Sequence, residues 1–169
     1  MINIRLATEK DFERIAMLIP SEEELFLVYP SGRFPLDVAQ VKELFEARKD
    51  FSVLTYEDKI IGFANLYDYL AGEFCFIGNV FVQAMHRGKG YGKSLVSHMI
   101  ALAKGYGLAE VRISVFADNT PALLLYTEYG FEIYTQESQE NPLGETVILL
   151  HLRLSLNKYL PKPSTMPHA

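Results

Sequence analysis

The chain of 169 residues is 49% hydrophobic and 22% charged, a balance that suits one folded core and lies far from the composition of disordered chains. With 16 basic residues against 21 acidic ones its net charge is −5, which excludes broad electrostatic attraction to nucleic acid or to an anionic membrane. No stretch approaches the ~18 apolar residues of a membrane span, residues 1–8 do not read as a secretory leader, and the lone Cys75 can form neither an internal disulfide nor a metal cluster, so a cytoplasmic protein with a buried free thiol is expected.

Ile2 to Ala7 alternates apolar and polar residues with the period of a half-buried strand, and Thr8 with Asp11 suits a capping pair for the next helix. Phe12, Ile15, Ala16 and Ile19 mark that helix's apolar face. Pro20 ends it, and Pro20 to Pro35 reads as irregular, holding Glu22, Glu23, Glu24, Phe26, Tyr29 and Phe34. Val38, Val41, Leu44 and Phe45 predict a second helix. Phe51 to Tyr56 and Ile60 to Leu70 form a hairpin around Glu57, Asp58 and Lys59. Ala71 and Gly72 then turn into Phe74 to Val82, whose nearly unbroken apolar run predicts a central strand covered on both faces.

A polar, glycine-rich loop from His86 to Gly92 leads into a helix over about Tyr91 to Lys104, with Leu95, Met99 and Leu102 at helical spacing. Glu110 to Phe116 is another strand. Asp118 or Asn119, with Pro121, starts a short helix that Gly130 closes. Phe131 to Gln136 and Glu145 to Leu154 complete the sheet. Residues 1–156 form one domain, and the tail 157–169, with Pro161, Pro163 and Pro167, reads as disordered.

Arg87-Gly88-Lys89-Gly90-Tyr91-Gly92 joins a buried strand to a helix. Glycines let a main chain approach a ligand closely, and free N–H groups at the helix start, with the helix dipole, favour an anion such as phosphate. Arg87 and Lys89 can add positive charge. The dinucleotide fingerprint fails because Lys93 stands where its third glycine belongs, and the mononucleotide P-loop fails because Arg87 stands in place of its first glycine.

Arg87, Gly90 and Gly92 fill the pattern Arg/Gln, two residues, Gly, one residue, Gly/Ala, and the chain resembles the GNAT superfamily of N-acetyltransferases. The stretch Asn119-Thr120-Pro121-Ala122-Leu123-Leu124-Leu125-Tyr126, running on to Gly130-Phe131, is similar to the superfamily's second signature. The resemblance covers Ile2 to about Leu154. It implies the acyl-CoA N-acyltransferase fold: a three-layer α/β/α arrangement around a mixed, mostly antiparallel sheet of six or seven strands. It also implies acetyl-CoA as cofactor, with the amides of Arg87, Gly88, Lys89, Gly90, Tyr91, Gly92, Lys93 and Ser94 at its pyrophosphate. Val80, Phe81 and Val82 would pair with the pantetheine arm like an added strand, and Asn119, Ala122 and Tyr126 would line its other side. The acceptor would be an amine of a small molecule or a protein, and homodimers are frequent among such proteins.

Acetyl transfer needs a neutral amine, a polarised carbonyl and a proton for the departing thiolate. By the resemblance Tyr126 is the acid, and a main-chain N–H near Val80 or Phe81 would meet the oxyanion. Many relatives carry a carboxylate on the strand before the loop, where this chain has Phe76, Ile77, Gly78 and Asn79. Asn79 can position a water but cannot take a proton, leaving Glu73, Asp68 and Glu22 to Glu24 as candidate bases. His86, His98 and His151 lack metal-ligand spacing and are not assigned a role. Tyr67, Tyr69, Tyr29 and Phe34 are candidates for the acceptor pocket. The competing readings are a non-catalytic acyl-CoA-binding module and a nucleotide-binding domain.

Overall fold

Alternating and β-branched runs build seven strands: β1 (Ile2–Leu6), β2 (Lys49–Tyr56), β3 (Lys59–Leu70), β4 (Phe74–Val82), β5 (Glu110–Phe116), β6 (Glu132–Glu140) and β7 (Thr146–Ser155). They join in the order β1-β2-β3-β4-β5-β7-β6, each pair antiparallel except β4 with β5. A parallel pair requires a crossover, and α4 (Tyr91–Gly105) supplies it. The remaining helices are α1 (Phe12–Met17), α2 (Glu22–Val28), α3 (Val38–Ala47) and α5 (Thr120–Tyr129). The structure, a computed structural model, describes residues 1–157, so the expected tail lies outside the described residues apart from Asn157.

Helices cover both faces of the sheet, as the unbroken apolar run of β4 requires. On one face Leu54, Ile61, Leu66, Cys75 and Ile77 join Leu95, Met99 and Ala103 of α4 in a single core. Leu95 and Met99, four residues apart, are fully buried, and each contributes about 2 kcal/mol by leaving water. On the other face Val53, Ile60, Phe63 and Phe81 pack with Phe12, Ile15, Leu25, Val41 and Leu44. The result is the expected three-layer arrangement. Cys75 is buried, and burial pushes its thiol up to about 11, consistent with an inert core residue.

Three expectations are corrected here. The region from Pro20 to Pro35 is not wholly irregular, since it contains α2: the Ser21 hydroxyl accepts the Glu24 N–H at 3.2 Å, and Glu22, Glu23 and Glu24 fill the first turn, where the dipole favours negative charge. The first helix ends at Met17 and follows a short turn, Glu9–Asp11, braced by the Asp11 carboxylate, which accepts the Thr8 N–H at 2.8 Å and two Arg5 N–H groups at 2.8 and 2.9 Å. Asn119 holds the N-cap position of α5 through its carbonyl, which accepts the Leu123 N–H at 3.0 Å, while its side chain makes no capping bond.

Candidate active site

An extra residue in β4 opens the sheet. The pairs Phe63–Phe81 and Asn65–Gly78 leave Asn79 and Val80 opposite Ala64 alone, and at this bulge Asn79 takes a left-handed φ of +51°, which asparagine tolerates better than most residues. Immediately before the bulge, pairing between β4 and β5 ends at Ile77 and Ile113. A cavity of about 290 Å³ occupies the gap beyond, bounded by Val80 on β4 and by Ser114 to Phe116 on β5.

One wall of this cavity belongs to α5. Asn119, Ala122 and Tyr126, three and four residues apart, share a helix face and all line it. Tyr126 is buried, packs in the core that holds Leu150 and Leu152, and its hydroxyl has no hydrogen-bond partner among the described residues. Burial pushes its ionisation well above the ordinary phenol range, so the hydroxyl keeps its proton. Tyr129, one turn on, donates to the Lys93 carbonyl at 2.7 Å and joins α5 to the first turn of α4.

That first turn and the preceding loop present main-chain donors. Gly88 and Gly90 adopt φ of +78° and +84°, and a β-carbon at either would meet nothing within 4 Å, so the glycines serve a left-handed backbone open to solvent. Gly90 is the N-cap of a 15-residue helix, whose opening N–H groups at Tyr91, Gly92 and Lys93 have no intrahelical acceptor. An open, donor-rich concavity with a positive helix end fits a diphosphate. Ser94 turns inward, its hydroxyl donating to the Gly90 carbonyl at 3.2 Å.

The side chain of Arg87 departs from expectation. Its guanidinium donates to the Val82 carbonyl at 2.7 Å and to Glu24 of α2 at 2.6 Å, so it braces the loop instead of facing a phosphate; Lys89 stays exposed. Phe81 is also corrected. The Gln83 N–H donates to the Ile61 carbonyl at 2.7 Å, so by alternation Phe81 presents its main-chain groups to β3, and Val80 and Val82 present theirs to the gap.

Glu73 and Asn79 stand where the sequence places them, just before β4 and within it, but their surroundings do not suit a base or a water-holder. Glu73 lies exposed in the turn before β4, six residues or roughly 20 Å along the strand from Asn79. Its carbonyl accepts the Ala109 and Glu110 N–H groups at 3.0 Å. Both polar atoms of the Asn79 side chain are tied to protein groups: its oxygen accepts from Asn65 at 2.8 Å and its amide donates to the Val28 carbonyl at 2.7 Å, clamping the end of α2 to the bulge. Asp68 and Glu22 to Glu24 do not line the cavity either. Of the expected aromatics, Tyr29 and Tyr67 line it, whereas Tyr69 packs on Tyr106 and Phe34 borders a separate hollow.

The wall opposite α5 holds the residues that sequence reading passed over. Ser114 alternates with the core residues Ile113 and Val115, and His151 with Leu150 and Leu152, so both point to the other face of the sheet. Ser114 Oγ lies 2.7 Å from His151 Nδ1, and His151 Nε2 lies 3.7 Å from Glu137 Oε2, an ion-pair separation too long for a hydrogen bond. Tyr67 adjoins Ser114, with Phe76 stacked on its ring at 5.1 Å and the Arg48 guanidinium 4.0 Å over its face; burial raises its ionisation. Gly78 makes room, since a β-carbon there would lie 2.7 Å from the Tyr67 ring. His86, half-buried beside the loop, forms a triangle of rings with Tyr56 and Tyr91 at separations of 5.2 and 6.4 Å.

Among known proteins, the model of the acetyltransferase (GNAT) family matches residues 14–131. A peptidyl-lysine N-acetyltransferase of Salmonella typhimurium, YjaB, is 27% identical over 153 residues, spanning 90% of this chain and 97% of that protein. An amino-acid acetyltransferase of Neisseria meningitidis is 29% identical over 146 residues, or 86% of this chain, which spans only 30% of that longer relative. The structure of yncA from Salmonella typhimurium, solved with acetyl-CoA, superposes with a TM-score of 0.74 at 22% identity, covering 92% of this chain and 94% of that one.

Proposed function

The chain belongs to the GNAT family of acetyltransferases, and from that membership we propose that it moves an acetyl group from acetyl-CoA to a primary amine by direct transfer. The observation that carries the reading is the parting of β4 from β5 after Ile77 and Ile113, with Tyr126 of α5 lining the gap and the left-handed glycines Gly88 and Gly90 following β4 in the chain. Acetyl-CoA supplies the activated thioester. The amides from Gly88 to Lys93 hold its diphosphate, and the outward main-chain groups of Val80 with the Val82 N–H, whose carbonyl is taken by Arg87, hold the pantetheine arm. The Val80 N–H meets charge developing on the carbonyl oxygen. Tyr126 donates to the departing sulfur, a role its raised ionisation suits because the proton is present at any physiological pH.

The acceptor enters from the face bearing Tyr67, Ser114 and His151. The relatives' names cover both peptidyl-lysine and free amino acids, so the acceptor is read as a primary amine of a small molecule or a protein. The test is thiol release from acetyl-CoA with a panel of free amino acids, spermidine and lysine-containing peptides, alongside calorimetry with acetyl-CoA. Tight binding with no acceptor-dependent thiol release across the panel would favour a binding module over an enzyme.

A further inference from the structure

We propose that His151 takes the proton from the acceptor amine, with Ser114 as the relay and Glu137 as the group that holds the resulting imidazolium. The inference deepens the acetyl-transfer reading and rests on it. An ammonium has no lone pair for attack, so a site working near neutral pH needs somewhere for its proton to go. Among the residues lining the cavity, the side chains chemically suited to accept a proton near neutrality are His151 and Glu137; the others are apolar, amide, hydroxyl or guanidinium groups. The carboxylates nominated from sequence all lie elsewhere.

The geometry fits the task. Ser114 Oγ, 2.7 Å from His151 Nδ1, can give its proton to the ring while taking one from the amine, so the serine ends unchanged. His151 Nε2 then faces Glu137 at 3.7 Å, and Glu137, with its side chain 53% exposed against 19% for His151, opens the path to solvent. The step balances: the ammonium's first proton passes through Ser114 to His151 and leaves to water. The amine nitrogen bonds to the acetyl carbon as the carbon–sulfur bond breaks. Tyr126 gives its proton to sulfur and recovers one from the new amide nitrogen.

The charges around the ring set its balance. Glu137 on β6 favours the imidazolium. Against it stand Arg112 on β5 and Arg153 on β7, 5.0 and 5.5 Å over the ring of Tyr134, and Arg48, stacked on Tyr67 next to Ser114; Arg112 is partly neutralised by Glu110 at 2.5 Å. Tyr134 and Phe76 flank the imidazole at ring separations of 6.3 and 6.5 Å. Among the described residues Glu137 is the carboxylate paired with the ring, and it is a positioning residue.

Two measurements test this. First, the imidazole protons of His151, assigned by their loss in His151→Gln, are followed by NMR across pH without acetyl-CoA; Glu137→Gln should move the midpoint down, and an unmoved midpoint would overturn the role of Glu137. Second, kcat/KM for the best amine of the panel is measured against pH in wild type, His151→Gln and Ser114→Ala. At pH 7 both variants should fall by roughly 10- to 100-fold with acetyl-CoA affinity unchanged. By about pH 11, above the ordinary lysine pKa of about 10.4, most of the amine is neutral without a base, and they should recover to within a few-fold of wild type. Equal losses at every pH, or no loss at pH 7, would overturn the proposal, as would an acetyl group found on Ser114, which would make that residue a nucleophile. A wild-type chain that neither binds acetyl-CoA nor releases thiol would remove the underlying reading, and the NMR result would show whether the charge relay exists apart from it.

Discussion

The two sides of the candidate site, the glycine loop region that follows β4 and the side-chain cluster in the cavity, are made in contrasting ways. The side formed by β4, the glycine loop and α4 comes from one continuous stretch, residues 74–105, and its working groups are main-chain N–H donors. The side formed by Arg48, Tyr67, Ser114, Glu137 and His151 draws one side chain each from the end of α3 and from β3, β5, β6 and β7. A main-chain cradle depends on local dihedral angles and so tolerates many side chains around it. A side-chain cluster spread over five elements depends on strand register and is lost if any element shifts. The contrast teaches that a shared reactant can be held by a local device while the partner substrate is selected by a tertiary one.

The sharpest way to break this comparison is Gly90→Glu. A side chain at φ +84° costs about 1 kcal/mol, but a β-carbon meets no neighbour, so the fold should survive while a carboxylate enters the amide cradle. Acetyl-CoA affinity measured by calorimetry should fall by roughly 100-fold or more. Retained affinity would place the diphosphate elsewhere.

Tyr126→Phe removes the proton donor and little else. We expect kcat to fall by about 10- to 100-fold with KM for acetyl-CoA changed less than about 2-fold, measured by thiol release. Because burial raises the ionisation of Tyr126, wild-type turnover should show no fall assignable to this phenol up to about pH 9. A full-rate variant would take the acid role from it.

Asn79→Ala joins the two sides in one test, since the residue clamps α2 to the bulge that opens them. It strands the Asn65 amide and the Val28 carbonyl and puts alanine at a left-handed φ, which should cost about 2–3 kcal/mol in urea denaturation. Loss of less than about 0.5 kcal/mol would show the clamp to be dispensable.

The smallest effect is expected at Asp11→Asn, away from both sides of the cavity. The Arg5 hydrogen bonds hold the Asp11 carboxyl below its usual range, so its contribution is present above the ordinary carboxylate pKa of about 4 and fades as pH drops through the lower folded value. With Arg5 partly exposed, the variant should lose about 1 kcal/mol at pH 7. That difference should shrink steadily below about pH 4 in a denaturation series, with catalysis untouched throughout. A pH-independent difference would assign the loss to packing.

Much of the cofactor side could be read directly from residue order. Gly88, Gly90 and the helix that begins at Tyr91 declare themselves within a few positions, because left-handed dihedrals and unpaired helix N–H groups are properties of a short segment. The same locality made α2 readable through Ser21 and Glu24, a capping signal overlooked beside Pro20. The alternation of Leu150, Leu152 and Leu154 with His151 and Arg153 likewise put His151 off the core face. What residue order could not decide was the neighbour: Ser114 meets His151 across 37 residues only because β5 and β7 pair in that register, and Tyr67 reaches them only because Gly78 leaves space. Nor could it show that Arg87 turns to Glu24 and Asn79 to Val28. Local backbone preference is written in adjacent residues, but which side chains converge is decided by long-range pairing and packing, whose free energy belongs to the whole sheet.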